Sequence, residues 1–208
     1  MKRQWILVAV LVAFGWMTSF SQTSVRYGLG GGIGLSNFSY SALNDLPILN
    51  QDPIMSYSLN GYIGIRSSEK FGLSFEPGYS RRGGKVGLLP EIIPVNVSWK
   101  MEYIQIPALL DFYLTDRISV SAGPELSWRL DSNASYLGLI SDDLDKKFSA
   151  GILAGIHVVV HNNVDIGLRY HRALTPVATL KLPEIGGFLQ PKLTMHNQYF
   201  QFVARYRF

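Results

Sequence analysis

Residues 25 to 37 read VRYGLGGGIGLSN, and this stretch decides the fold. Its apolar side chains, from Val25 to Leu35, alternate with arginine, glycine and serine. Successive side chains of a β-strand point to opposite faces of the sheet, so a period of two indicates a strand with one apolar and one polar face. No long segment of helical period follows residue 22, and the strand pattern therefore sets the class of the chain.

Seven further segments repeat this alternation, at residues 54–66, 71–83, 99–114, 118–131, 148–160, 164–173 and 197–208. Short turns occupy residues 67–70, 115–117 and 161–163, and long loops occupy residues 38–53, 84–98, 132–147 and 174–196. An even strand number, with short turns at one end and long loops at the other, is typical of bacterial outer-membrane barrels. The sequence predicts an all-β protein, an eight-stranded antiparallel up-and-down transmembrane β-barrel.

Alternation alone does not say which face points inward, because a soluble lipocalin-type barrel places its apolar face inside. Here the polar face is crowded with glycines, and an eight-stranded lumen is just wide enough to be filled by side chains. Aromatic residues on the apolar face gather near both strand ends, as in the interfacial girdles of membrane barrels. We therefore expect lipid on the apolar face and a lumen filled by side chains.

Three prolines lie inside the predicted strands, at Pro77, Pro107 and Pro124. Proline removes a donor from the hydrogen-bond ladder, and a closed barrel has no edge strand to place it on. We expect β-bulges to accommodate these residues.

Composition excludes several classes of function. The 208 residues contain no cysteine, so disulfides, cysteine-ligated metals and thiol catalysis are excluded. The formal charge of +4 includes Lys2 and Arg3, and 17 basic and 15 acidic residues remain without them. No dense run of Lys and Arg occurs, and we expect no nucleic-acid partner.

The first 21 residues have the layout of a secretory signal peptide. Lys2 and Arg3 precede an apolar run from Trp5 to Met17, which is shorter than the roughly 20 residues of a membrane-spanning helix. Small residues then precede Gln22. We expect cleavage near Ser21 and Gln22, a single barrel domain over residues 22–208, and residence in the cell outer membrane.

Several motifs resemble the PorT-like outer-membrane β-barrel family of Bacteroidetes. They are Tyr103-Ile104-Gln105-Ile106-Pro107-Ala108-Leu109-Leu110 with Phe112-Tyr113, Gly123-Pro124, Gly167-Leu168-Arg169-Tyr170 and Tyr206-Arg207-Phe208. Gln105 replaces the usual Glu, and Ala173 stands where a Gly often follows. The resemblance implies a membrane barrel. Some relatives serve type IX protein secretion and many have no assigned role. The terminal Phe208 resembles the signal that the barrel-assembly machinery reads.

Charged residues on the polar face should pair, because a single charge in a narrow lumen is costly. The predicted luminal ion-pair cluster contains Glu76, Glu125, Arg169, Asp111, Arg129 and Arg205. A structural plug is favoured over an ion path, since eight strands leave no wide channel.

Catalysis is not expected. Small barrel deacylases use a Ser–His pair near the lipid-facing rim, whereas His157 and His171 fall on the interior face, His161 in a turn and His196 in a loop. We expect no catalytic residue, cofactor site or metal site.

The favoured function is a non-enzymatic structural, adhesion or accessory role with the long loops outside. The alternatives are an accessory of type IX secretion and a narrow porin-like channel. The expected partners are outer-membrane lipid, the barrel-assembly machinery and a protein bound through the long loops or the periplasmic turns.

Overall fold

The computed structural model describes residues 24–41, 49–88, 95–132, 147–181 and 192–208. The described residues form eleven antiparallel strands: β1 (Ser24–Ser41), β2 (Leu49–Asp52), β3 (Ile54–Arg66), β4 (Phe71–Phe75), β5 (Gly78–Leu88), β6 (Val95–Tyr113), β7 (Ile118–Ser132), β8 (Phe148–His161), β9 (Val164–Ala173), β10 (Ala178–Lys181) and β11 (Lys192–Arg207). No helix in these ranges is long and apolar enough to cross a membrane. The predicted signal peptide and the tips of the long loops lie outside the described residues.

Strand pairing closes the sheet into a barrel. Each of the eight wall positions pairs with its neighbours in the chain, and β1 pairs with β11 to complete the circle. β4 and β5 together fill one wall position between β3 and β6. β2 and β10 lengthen the wall at the long-loop end by pairing with β5 and β11. The predicted eight-stranded up-and-down barrel is confirmed for the described part of the chain.

The two faces of the wall are chemically opposite. Outward side chains such as Leu59, 67% exposed, form an apolar belt, whereas inward side chains such as Ser56 and Glu125 are fully buried. An apolar surface of this extent is stable only against lipid. The predicted assignment of the apolar face to the outside and the polar face to the lumen is confirmed.

The expectation that bulges accommodate the prolines is wrong. At Pro77 the strand breaks between Phe75 and Gly78, yet the register with β3 and β6 continues unchanged across the gap. Hydrogen bonds from Gly61 N–H to the Pro77 carbonyl (2.8 Å) and from Glu76 N–H to the Pro107 carbonyl (3.1 Å) bridge the break. The register shifts lie elsewhere, between Glu102 and Tyr103 and between Val159 and His161.

Strand ends also differ from the prediction. The strands continue beyond the expected boundaries at the long-loop end, where β2 and β10 fall inside segments predicted as loops. His196 lies within β11 rather than in a loop, and His161 ends β8 rather than lying in a turn. Backbone pairing between neighbouring strands continues there, as in the pairs of β2 with β5 and of β10 with β11.

Candidate functional site

The lumen contains the buried charges of the protein, arranged as two networks. The first surrounds Glu76, at the point where β4 ends. Both oxygens of its carboxylate pair with the Arg169 guanidinium from β9, and Arg205 Nη2 of β11 lies 3.2 Å from Glu76 Oε1. A two-bond Arg–carboxylate contact fixes geometry as well as charge.

Asp165 extends this first network toward the short turns. Its carboxylate lies 3.5 Å from Arg205 Nε, 3.1 Å from Arg207 Nε and 3.6 Å from His157 Nδ1. The Arg205 guanidinium also lies 4.1 Å above the Tyr62 ring. Two carboxylates thus share three arginines, so every buried charge in the network has an opposite neighbour.

The second network surrounds Glu125 of β7, nearer the long-loop end. Arg82 Nη1 lies 2.6 Å from Glu125 Oε1, and Arg82 Nη2 donates to Ser127 Oγ at 2.7 Å. Tyr199 donates its hydroxyl to Glu125 Oε2 at 2.7 Å, and His171 Nε2 lies 3.4 Å from the same carboxylate. The His171 and Tyr199 rings stack 4.6 Å apart.

An apolar layer covers the second network on its long-loop side. Phe38, Trp99, Met101 and Met195 point inward from β1, β6 and β11, and each is at most 2% exposed. The Phe38 and Trp99 rings meet edge to face at 5.9 Å. We define these four side chains as the apolar cap, and they fill the lumen at this level.

The opposite end of the lumen is open. A cavity of about 460 Å³ lies at the short-turn end, between the first charge network and the turn residues Asp116, Arg117 and Asn162. In outer-membrane barrels the short turns face the periplasm. We call this cavity the short-turn vestibule, and it ends at the ion pairs.

The predicted luminal residues are all inward and buried, but the structure pairs them differently. Glu76, Arg169 and Arg205 come together, whereas Glu125 contacts Arg82 instead of a residue of the predicted cluster. Asp111 lines the short-turn vestibule. Arg129 is buried, and no ion pair joins it to a described acidic side chain. Phe208 lies at the barrel rim, 68% exposed, and its N–H donates to the Tyr27 carbonyl at 2.9 Å.

Sequence reasoning missed Arg82 and the aromatic partners Tyr62, Tyr103 and Tyr199. Arg82 shares the phase of Ser74, Glu76 and Ser80 in its strand, and this phase was the signal that could have identified it. The tyrosines lie on the inward face, where only small and polar residues were expected. The alternation predicted for each of their strands also places these tyrosines on the inward face.

Within the described ranges, no group of three or more His, Asp or Glu side chains could hold a metal ion. The carboxylates of Glu76, Glu125 and Asp165 are neutralised by arginines rather than arranged around an empty centre. The arrangement can fill and stiffen the lumen.

A closed antiparallel barrel with an apolar outer wall and a sealed, charged interior defines an integral barrel of the outer-membrane type. The chain matches the outer membrane protein beta-barrel domain family over residues 20–179, and it belongs to that family. No curated protein matches the chain in sequence. Membership of the narrower PorT-like group stays a prediction.

Solved barrels share this architecture. Neisserial surface protein A aligns with a TM-score of 0.52 at 18% identity, over 89% of this chain and 99% of that one. OprG from Pseudomonas aeruginosa aligns with a TM-score of 0.44 at 10% identity, over 89% and 95%. Ail of Yersinia pestis aligns with a TM-score of 0.43 at 13% identity, over 88% and 98%. At 18% identity, the alignment with Neisserial surface protein A relates the two folds alone.

Proposed function

We propose that this chain is a non-enzymatic, non-conducting outer-membrane barrel that carries its long loops outside the cell for a structural, adhesive or accessory role. The observation that carries the proposal is the filled lumen. Two ion-pair networks and the apolar cap occupy successive levels of the interior. An ion crossing the barrel would have to separate these buried pairs, which is costly in a narrow lumen.

The height of the wall supports a role outside the membrane. About ten tilted residues span the apolar core of an outer membrane. β6 has 19 residues and β1 has 18, and the excess lies at the long-loop end. Because β2 and β10 also pair there, the loops start from a rim of paired strands. Such a rim suits recognition of a partner outside the cell.

The contacts of the two luminal histidines support the non-enzymatic proposal. His157 is held by Asp165 and Arg169, and His171 is stacked on Tyr199 beside Glu125. Both lie inside the wall, where a lipid substrate does not reach. A general base needs a nucleophile within hydrogen-bond reach, and these rings are engaged by charged and aromatic neighbours instead.

Planar-bilayer recording tests the non-conducting proposal. The purified barrel should produce no discrete conductance steps, while a sixteen-stranded porin in the same membrane provides the positive control. Reproducible steps that disappear after the protein is boiled would overturn the proposal and favour the narrow-channel alternative.

The type IX secretion accessory is the narrower alternative, and only the family resemblance supports it. Cross-linking in native outer membranes, followed by mass spectrometry of the captured partners, tests it. Co-purified secretion components would support this role, and it fails if none is captured.

A variant with the long loops replaced by short turns should lose its outside partners if the loops carry recognition. Sequencing of the mature N-terminus tests cleavage at Gln22.

A further inference from the structure

A groove on the outer wall differs from the surrounding apolar belt. It has a volume of about 430 Å³ and lies at the long-loop end, where β3, β5 and β6 run side by side. Its lining includes Met55, Tyr57, Arg81, Lys85, Ser98 and Lys100. We call it the outer basic groove. It is independent of the lumen and of the proposed function above.

Side chains of three neighbouring strands form the lining of the groove. Tyr57 of β3 is the cross-strand partner of Arg81 of β5, and Lys100 of β6 lies directly opposite Gly83 of β5. Gly83 itself is buried and does not line the groove. Arg81 and Lys85 therefore flank Lys100 from the neighbouring strand.

The groove carries three cations that are not neutralised by ion pairs. Two acids lie near them in register, since Glu102 is opposite Arg81 and Asp52 is opposite Lys85. Among the described side chains, however, no ion pair joins either acid to Arg81, Lys85 or Lys100. Arg81 Nε is also buried without a hydrogen-bond partner. Arg81 interacts with Tyr57 and with the charge of Glu102. Because three cations lie beside two acids, the surface keeps a net positive charge.

The depth of the groove matches the lipid headgroups. Two residues advance a tilted strand by about 5 Å along the barrel axis. Tyr79, whose ring lies 6.3 Å from the Tyr57 ring, is one of the aromatic residues near the long-loop end of the apolar face. Arg81 therefore lies about 5 Å above Tyr79, and Lys85 about 15 Å above it. Cations on a lipid-facing wall are tolerated near the interface, where they meet anionic headgroups.

We propose that the outer basic groove binds a phosphate group of the phosphorylated glycolipid in the outer leaflet, of the lipid A class. Arg81, Lys85 and Lys100 contact the phosphate, and Tyr57 and Met55 contact the sugar. The acyl chains lie along the apolar wall below, against Leu59 and Ile104, which are 67% and 49% exposed. One side of the barrel thereby holds a defined lipid.

Native mass spectrometry of the refolded barrel in detergent tests the proposal. The probes are bisphosphorylated lipid A, its dephosphorylated form and phosphatidylglycerol, each at equal concentration. The wild-type barrel should retain the bisphosphorylated form at least about tenfold better than the other two. The variant R81Q/K85Q/K100Q should lose that preference.

The control variant is K147Q/R172Q, which removes two exposed cations outside the groove. It should keep the preference, and heat-modifiable migration should report the folding of both variants. If the triple variant fails to fold, K100Q alone should still reduce the preference. Equal retention of phosphorylated and dephosphorylated lipid would overturn the proposal. So would equal retention of phosphatidylglycerol, complete displacement by inorganic phosphate, or an equal loss in the control.

Discussion

At the scale of single residues, the Arg82–Glu125 pair decides how the long-loop half of the lumen is filled. Both side chains are almost completely buried, with 1% and 0% exposure, and their charged atoms are 2.6 Å apart. The Arg82 guanidinium also lies 4.3 Å above the Tyr103 ring. A buried charge that loses its partner is strongly unfavourable, and this asymmetry gives a sharp test.

The substitution Arg82→Met should lower the free energy of unfolding by about 3–5 kcal/mol, because the Glu125 carboxylate stays buried without its cation. The double variant R82M/E125Q should recover part of this loss, since it leaves no unpaired charge. Urea unfolding of the refolded barrel in micelles, followed by tryptophan fluorescence, measures the free energy of unfolding of both variants. Asp116→Asn is the control, because the Asp116 side chain is 96% exposed and its substitution should leave the midpoint unchanged. An unchanged midpoint for R82M would contradict the role of the pair.

At the scale of strands, the β1–β11 seam closes the barrel and depends on glycine at particular positions. A Cβ atom at Gly34 would overlap the Phe200 carbonyl oxygen and lie 2.7 Å from the Gln201 Cα. At Gly31, three residues earlier in the same strand, the nearest atom is the Ser58 carbonyl oxygen at 3.3 Å. The seam therefore requires glycine at Gly34 but not at Gly31.

Gly34→Ala should destabilise the barrel by about 1–3 kcal/mol, because backbone atoms of β11 must move to admit the methyl group. Gly31→Ala is the matched control and should have a clearly smaller effect. The same urea titration compares them. If both variants unfold at the same urea concentration, the seam is not the constraint proposed here.

At the scale of the whole molecule, closure satisfies the backbone of every wall strand. β1 pairs with β11 from Gly28 with Arg207 to Ser41 with Thr194, so no wall position is an open edge. A closed barrel resists detergent until it is heated, since no single strand can leave without breaking two ladders. This resistance is measurable on a gel.

The unboiled protein from the outer-membrane fraction should migrate faster than the boiled protein, because the intact barrel is compact. A variant that lacks residues 192–208 removes β11 and should show no such shift. Wild-type protein in the soluble periplasmic fraction would contradict the assignment to the membrane.

The sequence by itself determined the class of fold, the number of wall positions and the face that meets lipid. These features are local, because alternation with a period of two is present in each strand alone. Luminal Glu76, Glu125, Arg169 and Arg205 could be predicted for the same reason, since their phase within each strand points inward. The phase of Arg82 within its strand also points inward, so its place in the lumen could have been predicted in the same way.

Only the tertiary structure decided which charges meet and where the lumen is sealed. Arg82 and Glu125 are 43 residues apart in the chain, and Arg169 and Glu76 are 93 residues apart. In each pair, side chains from different parts of the wall meet inside the lumen. Their contacts depend on strand register and barrel closure, which are long-range properties that no alternation encodes. The outer basic groove likewise arises where β3, β5 and β6 lie side by side, and no single strand encodes that arrangement.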